Sequence, residues 1–206
     1  MTEEKAPFAN IMKYFTILIF FTLVILTACQ KEINEGKFHV TPESKAFLPA
    51  ADSFFFINSE SITTLLVKEE KVIYFEKYCS DTDGDLFNRY YYYQYFENIV
   101  TTYSSDYLAI YYQLCIDQQG DGPRDFLKIR ISDPHGNVNV TISNAYGSGL
   151  LGFMPPDSLL YEIELNGETY HDVYHYTDGT NVFYFQEYKG LIGFTVHDIH
   201  WSLTAK

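Results

Sequence analysis

The stretch FLKIRISDPHGNVNVTI, residues 126–142, decides the fold class of this chain. Apolar and polar residues alternate in FLKIRIS and again in VNVTI, on either side of the turn-forming residues DPHG. A period of two gives a strand with one buried face and one solvated face, so the stretch predicts an antiparallel β-hairpin. The residues predicted to point inward are Leu127, Ile129, Ile131, Val138, Val140 and Ile142.

The same pattern extends outward along the chain. In LYEIEL and the leucine before it, alternation predicts Leu159, Tyr161, Ile163 and Leu165 inward, with Glu162 and Glu164 outward. Asn166-Gly167 and Asp178-Gly179 tolerate the positive φ of tight hairpin turns. Further strands are predicted over residues 52–57, 62–67, 72–79, 87–101, 106–116, 168–176, 181–188, 191–196 and 200–204.

Many consecutive short strands, without an internal repeat, predict a single antiparallel all-β domain over residues 51–206. A strongly curved sheet or partly open barrel accommodates such strands, and a two-sheet β-sandwich is the alternative. Trp201 is predicted to close one end of the core.

The composition predicts a folded, acidic protein. Hydrophobic residues make up 47% of the 206 residues, which is enough for a sizeable core. The formal net charge of -13, with no basic stripe to offset it, argues against nucleic acid as a partner because the phosphate backbone is itself anionic.

The amino terminus has the features of a signal peptide. Lys13 precedes an apolar segment of 15 residues, 14–28, which is shorter than the roughly 20 residues of a membrane-spanning helix. We therefore expect a signal-peptide helix within residues 1–28, with Met12 as an alternative start. Residues 29–50 are largely polar and contain two prolines, which predicts a flexible tether ahead of the β domain.

The apolar segment ends in Leu26-Thr27-Ala28-Cys29, which resembles the lipobox of bacterial lipoproteins. That resemblance implies that Cys29 carries a diacyl group, that the signal is cut before it, and that palmitate or a similar chain acylates the new amino terminus. Two or more acyl chains anchor a protein stably, whereas one does so only marginally. The following Gln30-Lys31-Glu32 resembles the export signal of Bacteroidetes surface lipoproteins. The implied location is the bacterial outer membrane, either surface-exposed or facing the periplasm.

The carboxy-terminal block supports the same resemblance. GETYHDVY, residues 167–174, GLIGF, residues 190–194, and the final strand with Trp201 are similar to the ending of small Bacteroidetes envelope lipoproteins. The resemblance implies a shared β scaffold and brings no known activity with it.

An aromatic run, YYYYQYF, occupies residues 90–96. Its aromatic side chains point to both faces of the predicted strand. One interpretation is a central strand covered on both sides, with tyrosine hydroxyls reaching polar partners. The other is an aromatic binding face for a sugar or an apolar ligand, formed by Tyr90, Tyr91, Tyr92 and Tyr93.

Two cysteines, Cys79 and Cys115, remain once Cys29 is lipidated. Export places them in an oxidising compartment, so we expect a disulfide between them. Strands on either side of a common neighbour are ~10 Å apart, which exceeds the reach of a disulfide unless Cys79 ends its strand and the chain folds across. The alternative is two separate thiols packed as small apolar residues.

No catalytic residue, metal ligand or cofactor site is predicted. Asp81, Asp83 and Asp85 have the spacing of a calcium loop but lack its sixth-position glycine and twelfth-position glutamate. His171 and His175 share a strand face but lie ~13 Å apart, too far to chelate one metal. Neither a nucleophile elbow nor a phosphate-binding loop is present in the sequence.

The sequence therefore predicts a membrane-anchored, exported lipoprotein with a non-catalytic β domain. That domain would bind or scaffold a protein or small-molecule partner in the cell envelope. A carrier of a hydrophobic ligand and a hydrolase of a polymer are the alternatives. An apolar cavity of a few hundred Å³ would favour the carrier, and a cleft with converging carboxylates would favour the hydrolase.

Overall fold

Strands account for most of the described chain. The computed structural model describes Ile19 and residues 30–84, 89–118, 123–143 and 159–204. One short helix, α1 (Pro42–Lys45), follows the first strand. The strands are β1 (Gln30–Phe38), β2 (Ser53–Asn58), β3 (Thr63–Gly84), β4 (Arg89–Ser104), β5 (Ala109–Gln118), β6 (Pro123–Asp133), β7 (Gly136–Ser143), β8 (Leu159–Leu165), β9 (Glu168–Thr177), β10 (Val182–Gln186), β11 (Gly190–Val196) and β12 (Ile199–Thr204).

The described strands belong to one antiparallel sheet, in the order β7-β6-β5-β4-β3-β2-β12-β11-β10-β9-β8, with β1 paired to β4 beside this path. Sequential strands are neighbours from β2 to β7 and from β8 to β12, and the pairing of β12 with β2 joins the two meanders. Among the described strands, β7 and β8 lie at the two ends of this order and do not pair with each other. This confirms the predicted all-β antiparallel fold, and it favours an open curved sheet over a two-sheet sandwich.

Two compact units share the sheet. Apart from Ile19, the described part of the first unit consists of residues 30–37, 77–84 and 89–95, which are most of β1, the end of β3 and the start of β4. The second unit takes the described residues from Phe38 to Glu76 and from Phe96 onward. Both β3 and β4 contribute to the two units.

The hairpin of β6 and β7 lies in the second unit and forms as predicted. Ile129 pairs with Val140 and Ile131 pairs with Val138 across the ladder. Val138 is partly buried, whereas the side chain of Ile142 lies outside the described residues. The predicted inward residues that are fully buried are Leu127, Ile129, Ile131 and Val140.

The sheet of the second unit curls around its own core. Phe56 of β2, Leu127 of β6 and Phe194 of β11 belong to one hydrophobic cluster, although five strands separate β6 from β11 in the sheet order. The turns after β6 and β11 also meet, because His197 Nδ1 lies 3.2 Å from Asp133 Oδ1. Trp201 is buried, as predicted, and stacks on Phe194.

The inward face changes along β8 and β9, contrary to the simple alternation predicted for LYEIEL. Tyr161 was expected inward and is 79% exposed, whereas Leu165 is buried as expected. Opposite Tyr161, Asp172 has a φ of 53° and interrupts the ladder. Because of this interruption, Tyr170 and Val173 are both buried although they lie three positions apart, which in a regular strand would place them on opposite faces.

The structure also differs from the predicted flexible tether over residues 29–50. Residues 30–38 form β1, and the segment after it enters the second unit, where Val40 and Phe47 are buried. Helix α1 begins with Thr41 as N-cap and Pro42 at its first position, an arrangement that the helix start favours. The two apolar side chains supply the burial that a solvated tether lacks.

One strand, β3, replaces the two that were predicted over residues 62–67 and 72–79. The intervening residues, VKEEKV, contain no Gly, Pro, Asn or Asp that would favour a turn, so the strand continues.

The predicted signal peptide and Cys29 lie outside the described residues, apart from Ile19. Within the part of the chain that the structure describes, no helix combines the length and the apolar character needed to span a membrane.

Candidate functional site

A polar cleft opens beside three strands of the second unit. Its volume is about 540 Å³, which lies within the range of small-molecule sites. We call it the β8–β10 cleft. Its lining residues come from the start of β8, the middle of β9, and the end of β10 with the turn that follows: Leu159, His171, Asp172, Tyr174, Gln186, Glu187 and Lys189.

Two unusual backbone conformations flank this cleft. Asp172, with a φ of 53°, lies in β9, and Tyr188, with a φ of 63°, lies in the turn after β10. Non-glycine residues in this region carry a conformational cost, and such residues cluster at binding sites. The Tyr188 turn is held in place by the chain after α1, since its N–H donates to Ala46 O at 2.6 Å and its carbonyl accepts from Ala50 N at 3.1 Å.

Gln186 lines the cleft and has one buried acceptor without a partner among the described residues. Its Nε2 donates to the His171 carbonyl at 2.8 Å, which ties β10 to β9. Its Oε1 is buried and lacks a hydrogen-bond partner among the described residues. A buried acceptor left in this state is costly, so a ligand or water that donates to it would recover free energy.

Tyr174 forms an aromatic wall. Its ring packs edge-on against Phe47, with ring centroids 5.3 Å apart. Burial raises the pKa of Tyr174, and the carboxylates of Glu187 and Asp172 raise it further. Its hydroxyl therefore stays protonated at neutral pH and can donate a hydrogen bond.

The charges at the cleft are mixed. Asp172 and Glu187 offer carboxylate acceptors and Lys189 offers an ammonium donor. The Lys189 ammonium lies 4.9 Å from the ring centroid of Tyr170. The Nδ1 of His171 lies 3.7 Å from Glu162 Oε2 on the exposed surface, a pair of little energetic weight. A neutral ligand with several hydroxyl or amide groups matches this mixture of donors and acceptors.

The predicted aromatic face, Tyr90 to Tyr93, lies on β4 in the first unit. Tyr91 and Tyr93 are stacked, with centroids 6.4 Å apart. The ring of Tyr93 already has a cation over it, the Lys77 ammonium at 3.6 Å from the centroid. The tyrosines of this run are thus partly covered by side chains of their own unit.

The predicted disulfide between Cys79 and Cys115 is absent from the structure. Cys79 is exposed and Cys115 is buried. Since β3 continues to Gly84, Cys79 lies within its strand and not at the end, as the disulfide had required. The disulfide would have to join β3 to β5. Because β4 lies between them, these strands are separated by twice the ordinary strand spacing, ~10 Å.

The acidic motif at residues 81–85 lies partly outside the described residues, since Asp85 is not among them. Asp81 and Asp83 lie in β3. Among the described residues, no group of three or more His, Cys, Asp or Glu side chains is placed to hold a metal ion.

Sequence reasoning missed two buried carboxylates that hold the chain before β2. Asp125 Oδ2 accepts hydrogen bonds from the backbone N–H of Thr41, from its hydroxyl and from the Ser44 hydroxyl. Glu97 Oε2 accepts from the Val40 N–H at 3.0 Å and lies 2.9 Å from Lys45 Nζ. The Thr41-Pro42 pair was the available signal, because it is typical of a helix start.

The β8–β10 cleft thus brings an aromatic ring and groups of both charges together at one site, whereas Cys29, the predicted lipid-attachment residue, lies outside the described residues. Asp172, Tyr174 and Gln186 were not predicted to share a site, since their proximity depends on the pairing of β9 with β10. No protein-family model, curated protein or solved structure matches this chain.

Proposed function

We propose that the protein is an exported lipoprotein, anchored through Cys29 in the bacterial outer membrane, whose β domain is a non-catalytic binding or scaffolding module. The lipobox Leu26-Thr27-Ala28-Cys29 supports the anchor. The β8–β10 cleft is the observation that carries the binding role, because it combines a suitable volume, an aromatic wall and an unpartnered acceptor.

The core of the second unit favours this role over the hydrophobic carrier. Large side chains of its own fill the concave side of the sheet, and several are less than 2% exposed. An apolar ligand there would have to displace packed aromatic rings at a cost of several kcal/mol. The rings and aliphatic groups concerned are Phe56, Leu66, Tyr103, Tyr112, Phe183, Phe185 and Phe194.

The anchor is tested by metabolic labelling with a palmitate analogue. Labelling and membrane association are expected for the wild type and should disappear in Cys29→Ser, which removes the acylated sulfur. Unchanged labelling of the variant would contradict the anchor. Protease added to intact cells then distinguishes a surface-exposed protein, which is digested, from one that faces the periplasm.

The binding role is tested at the cleft. Isotope-labelled protein is titrated with neutral disaccharides, short peptides and free amino acids, and amide shifts around Gln186 and Tyr174 are followed. Glu187→Gln and Asp172→Gly, which keeps the positive φ, should weaken binding about tenfold, equivalent to 1.4 kcal/mol. Glu164→Gln, on β8 outside the cleft lining, is the control. If none of these probes binds at the cleft, the binding role is wrong. If the protein cleaves a disaccharide or peptide probe and releases a product, the hydrolase is favoured instead.

A further inference from the structure

The first strand of the first unit begins at the residue next to the proposed lipid anchor. Gln30 is the first residue of β1, so no spacer separates Cys29 from the sheet. Consecutive Cα atoms are about 3.8 Å apart, which keeps the Cα of Lys31 within about 8 Å of that of Cys29. Whatever surface holds the acyl chains of Cys29 therefore also adjoins the first residues of this unit.

Direct side-chain contacts extend this proximity to the tyrosines of β4. Lys31 Nζ lies 6.0 Å from the ring centroid of Tyr90. Glu32 Oε2 lies 2.9 Å from Lys77 Nζ, and the same ammonium lies 3.6 Å from the Tyr93 centroid. Tyr90 and Tyr93 are thus one or two side-chain contacts away from the residues that follow the anchor.

The composition of the first unit differs from that of the whole chain. Residues 30–37, 77–84 and 89–95 contain six of the 19 tyrosines of the chain. They also contain four basic and four acidic residues, so their net charge is zero, whereas the whole chain has a formal net charge of -13. A neutral segment meets an anionic lipid surface without the repulsion that the rest of the chain would face. The tyrosines are Tyr78, Tyr90, Tyr91, Tyr92, Tyr93 and Tyr95.

Tyrosine and lysine are the side chains suited to the boundary between water and lipid. Each combines an apolar body with a polar tip, and aromatic belts of this kind mark both faces of membrane proteins. Tyr78 is 45% exposed. The Lys77 ammonium lies over the Tyr93 ring and pairs with Glu32, whose hydrogen bond raises the pKa of Lys77.

We propose that the described part of the first unit, residues 30–37, 77–84 and 89–95, lies in the headgroup region of the phospholipid bilayer that holds the anchor. The proposal rests on the lipidation of Cys29. The tyrosine-rich strand then orients the domain on the membrane, adding a second contact to the acyl chains.

The native thiol of Cys79 provides a probe inside this unit. Cys79 is exposed and Cys115 is buried, so a thiol-reactive fluorophore labels the native, lipidated protein at residue 79. The labelled full-length protein is reconstituted in vesicles of phosphatidylethanolamine and phosphatidylglycerol, with a nitroxide quencher either on the lipid headgroup or deep in the acyl chain. We expect headgroup quenching to exceed acyl-chain quenching about twofold or more.

Variants separate the tyrosine contact from simple tethering. The double variant Tyr90→Ser/Tyr93→Ser should lose about half of the headgroup quenching, whereas Tyr93→Phe, which keeps the ring, should retain it. Tyr107→Ser removes an exposed tyrosine from the second unit and serves as the control. Circular dichroism verifies that each variant retains its strands.

Three outcomes overturn the proposal. If an aqueous quencher reaches the Cys79 label as readily as it reaches free dye, the unit lies in water. Equal quenching in the wild type and the double serine variant would mean that the lipid anchor alone keeps residue 79 near the membrane. Protection from both lipid and aqueous quenchers would indicate a protein partner. If palmitate labelling of Cys29 is absent, the anchor itself is wrong, a result that the labelling experiment detects independently.

Discussion

The Glu97 carboxylate of β4 accepts a hydrogen bond from the backbone N–H of Val40 at 3.0 Å, across 57 residues of sequence. Lys45 and His39 lie beside the same oxygen, at 2.9 Å and 3.5 Å. The buried Glu97 side chain thus fixes the segment between β1 and β2 to β4 within the second unit. Burial by itself raises the pKa of Glu97, but the hydrogen bonds from Lys45 and Val40 and the charges of Lys45 and His39 lower it below its ordinary value.

Glu97→Gln should reduce the pH dependence of stability. Because the pKa of Glu97 is lower in the folded state than in the unfolded state, its stabilisation is present above the unfolded value of about 4.3 and is lost as the pH falls through the folded value. The free energy of unfolding of the wild type, measured in urea between pH 3 and pH 6, should therefore fall more steeply on acidification than that of the variant. Glu70→Gln, at an exposed position of β3, should retain the wild-type slope. Parallel curves for Glu97→Gln and the wild type would contradict this role.

Asp125→Ala should release α1. The substitution removes the acceptor of three hydrogen bonds, which come from the N–H and hydroxyl of Thr41 and from the hydroxyl of Ser44. We expect a loss of about 3 kcal/mol in the free energy of unfolding, since an unsatisfied buried polar group costs about 1–3 kcal/mol. Hydrogen exchange should accelerate at residues 40–47, with little change for Asp106→Ala in the exposed turn after β4. Unaltered exchange over this segment would show that Asp125 does not hold it.

Gly190→Ala should be more destabilising than Gly179→Ala, although both glycines have positive φ, 73° and 93°. A Cβ at Gly190 would lie 2.8 Å from Pro49 Cγ, whereas nothing lies within 4 Å of one at Gly179. The backbone cost of positive φ is about 1–2 kcal/mol at each site, and overpacking adds about 1–3 kcal/mol at Gly190 alone. Thermal unfolding of the two variants measures the difference. Equal losses would mean that Pro49 does not pack on this turn.

The two cysteines should react with thiol reagents at very different rates. Iodoacetamide should alkylate Cys79 rapidly in the native protein, because its side chain is exposed. The buried Cys115 should react only when urea unfolds the second unit. Mass spectrometry of the peptides, with Cys79→Ser as the control, assigns each site. If both cysteines resist alkylation in urea until a reductant is added, a disulfide forms after all.

The sequence by itself predicted the hairpin turns and most of the strands, although it missed β1 and divided β3 in two. Alternation predicted the buried face of β6 because side-chain direction in a regular strand depends only on the backbone period of two. Asn166-Gly167 predicted its turn for an equally local reason, and both residues have the expected positive φ, 52° and 78°. The lipobox is a local motif as well, so the proposal of a lipid anchor at Cys29 does not depend on the fold.

Only the tertiary structure decided which strands meet and what the segment before β2 does. The pairing of β12 with β2 joins the two meanders, and no local pattern specifies it. The inward position expected for Tyr161 failed because Asp172, on the neighbouring strand, interrupts the ladder opposite it. The segment expected to be a tether is ordered because Glu97 and Asp125 accept its hydrogen bonds from distant strands. In each case the deciding partner is far away in sequence, and its contribution to the free energy exists only once the sheet has brought it close.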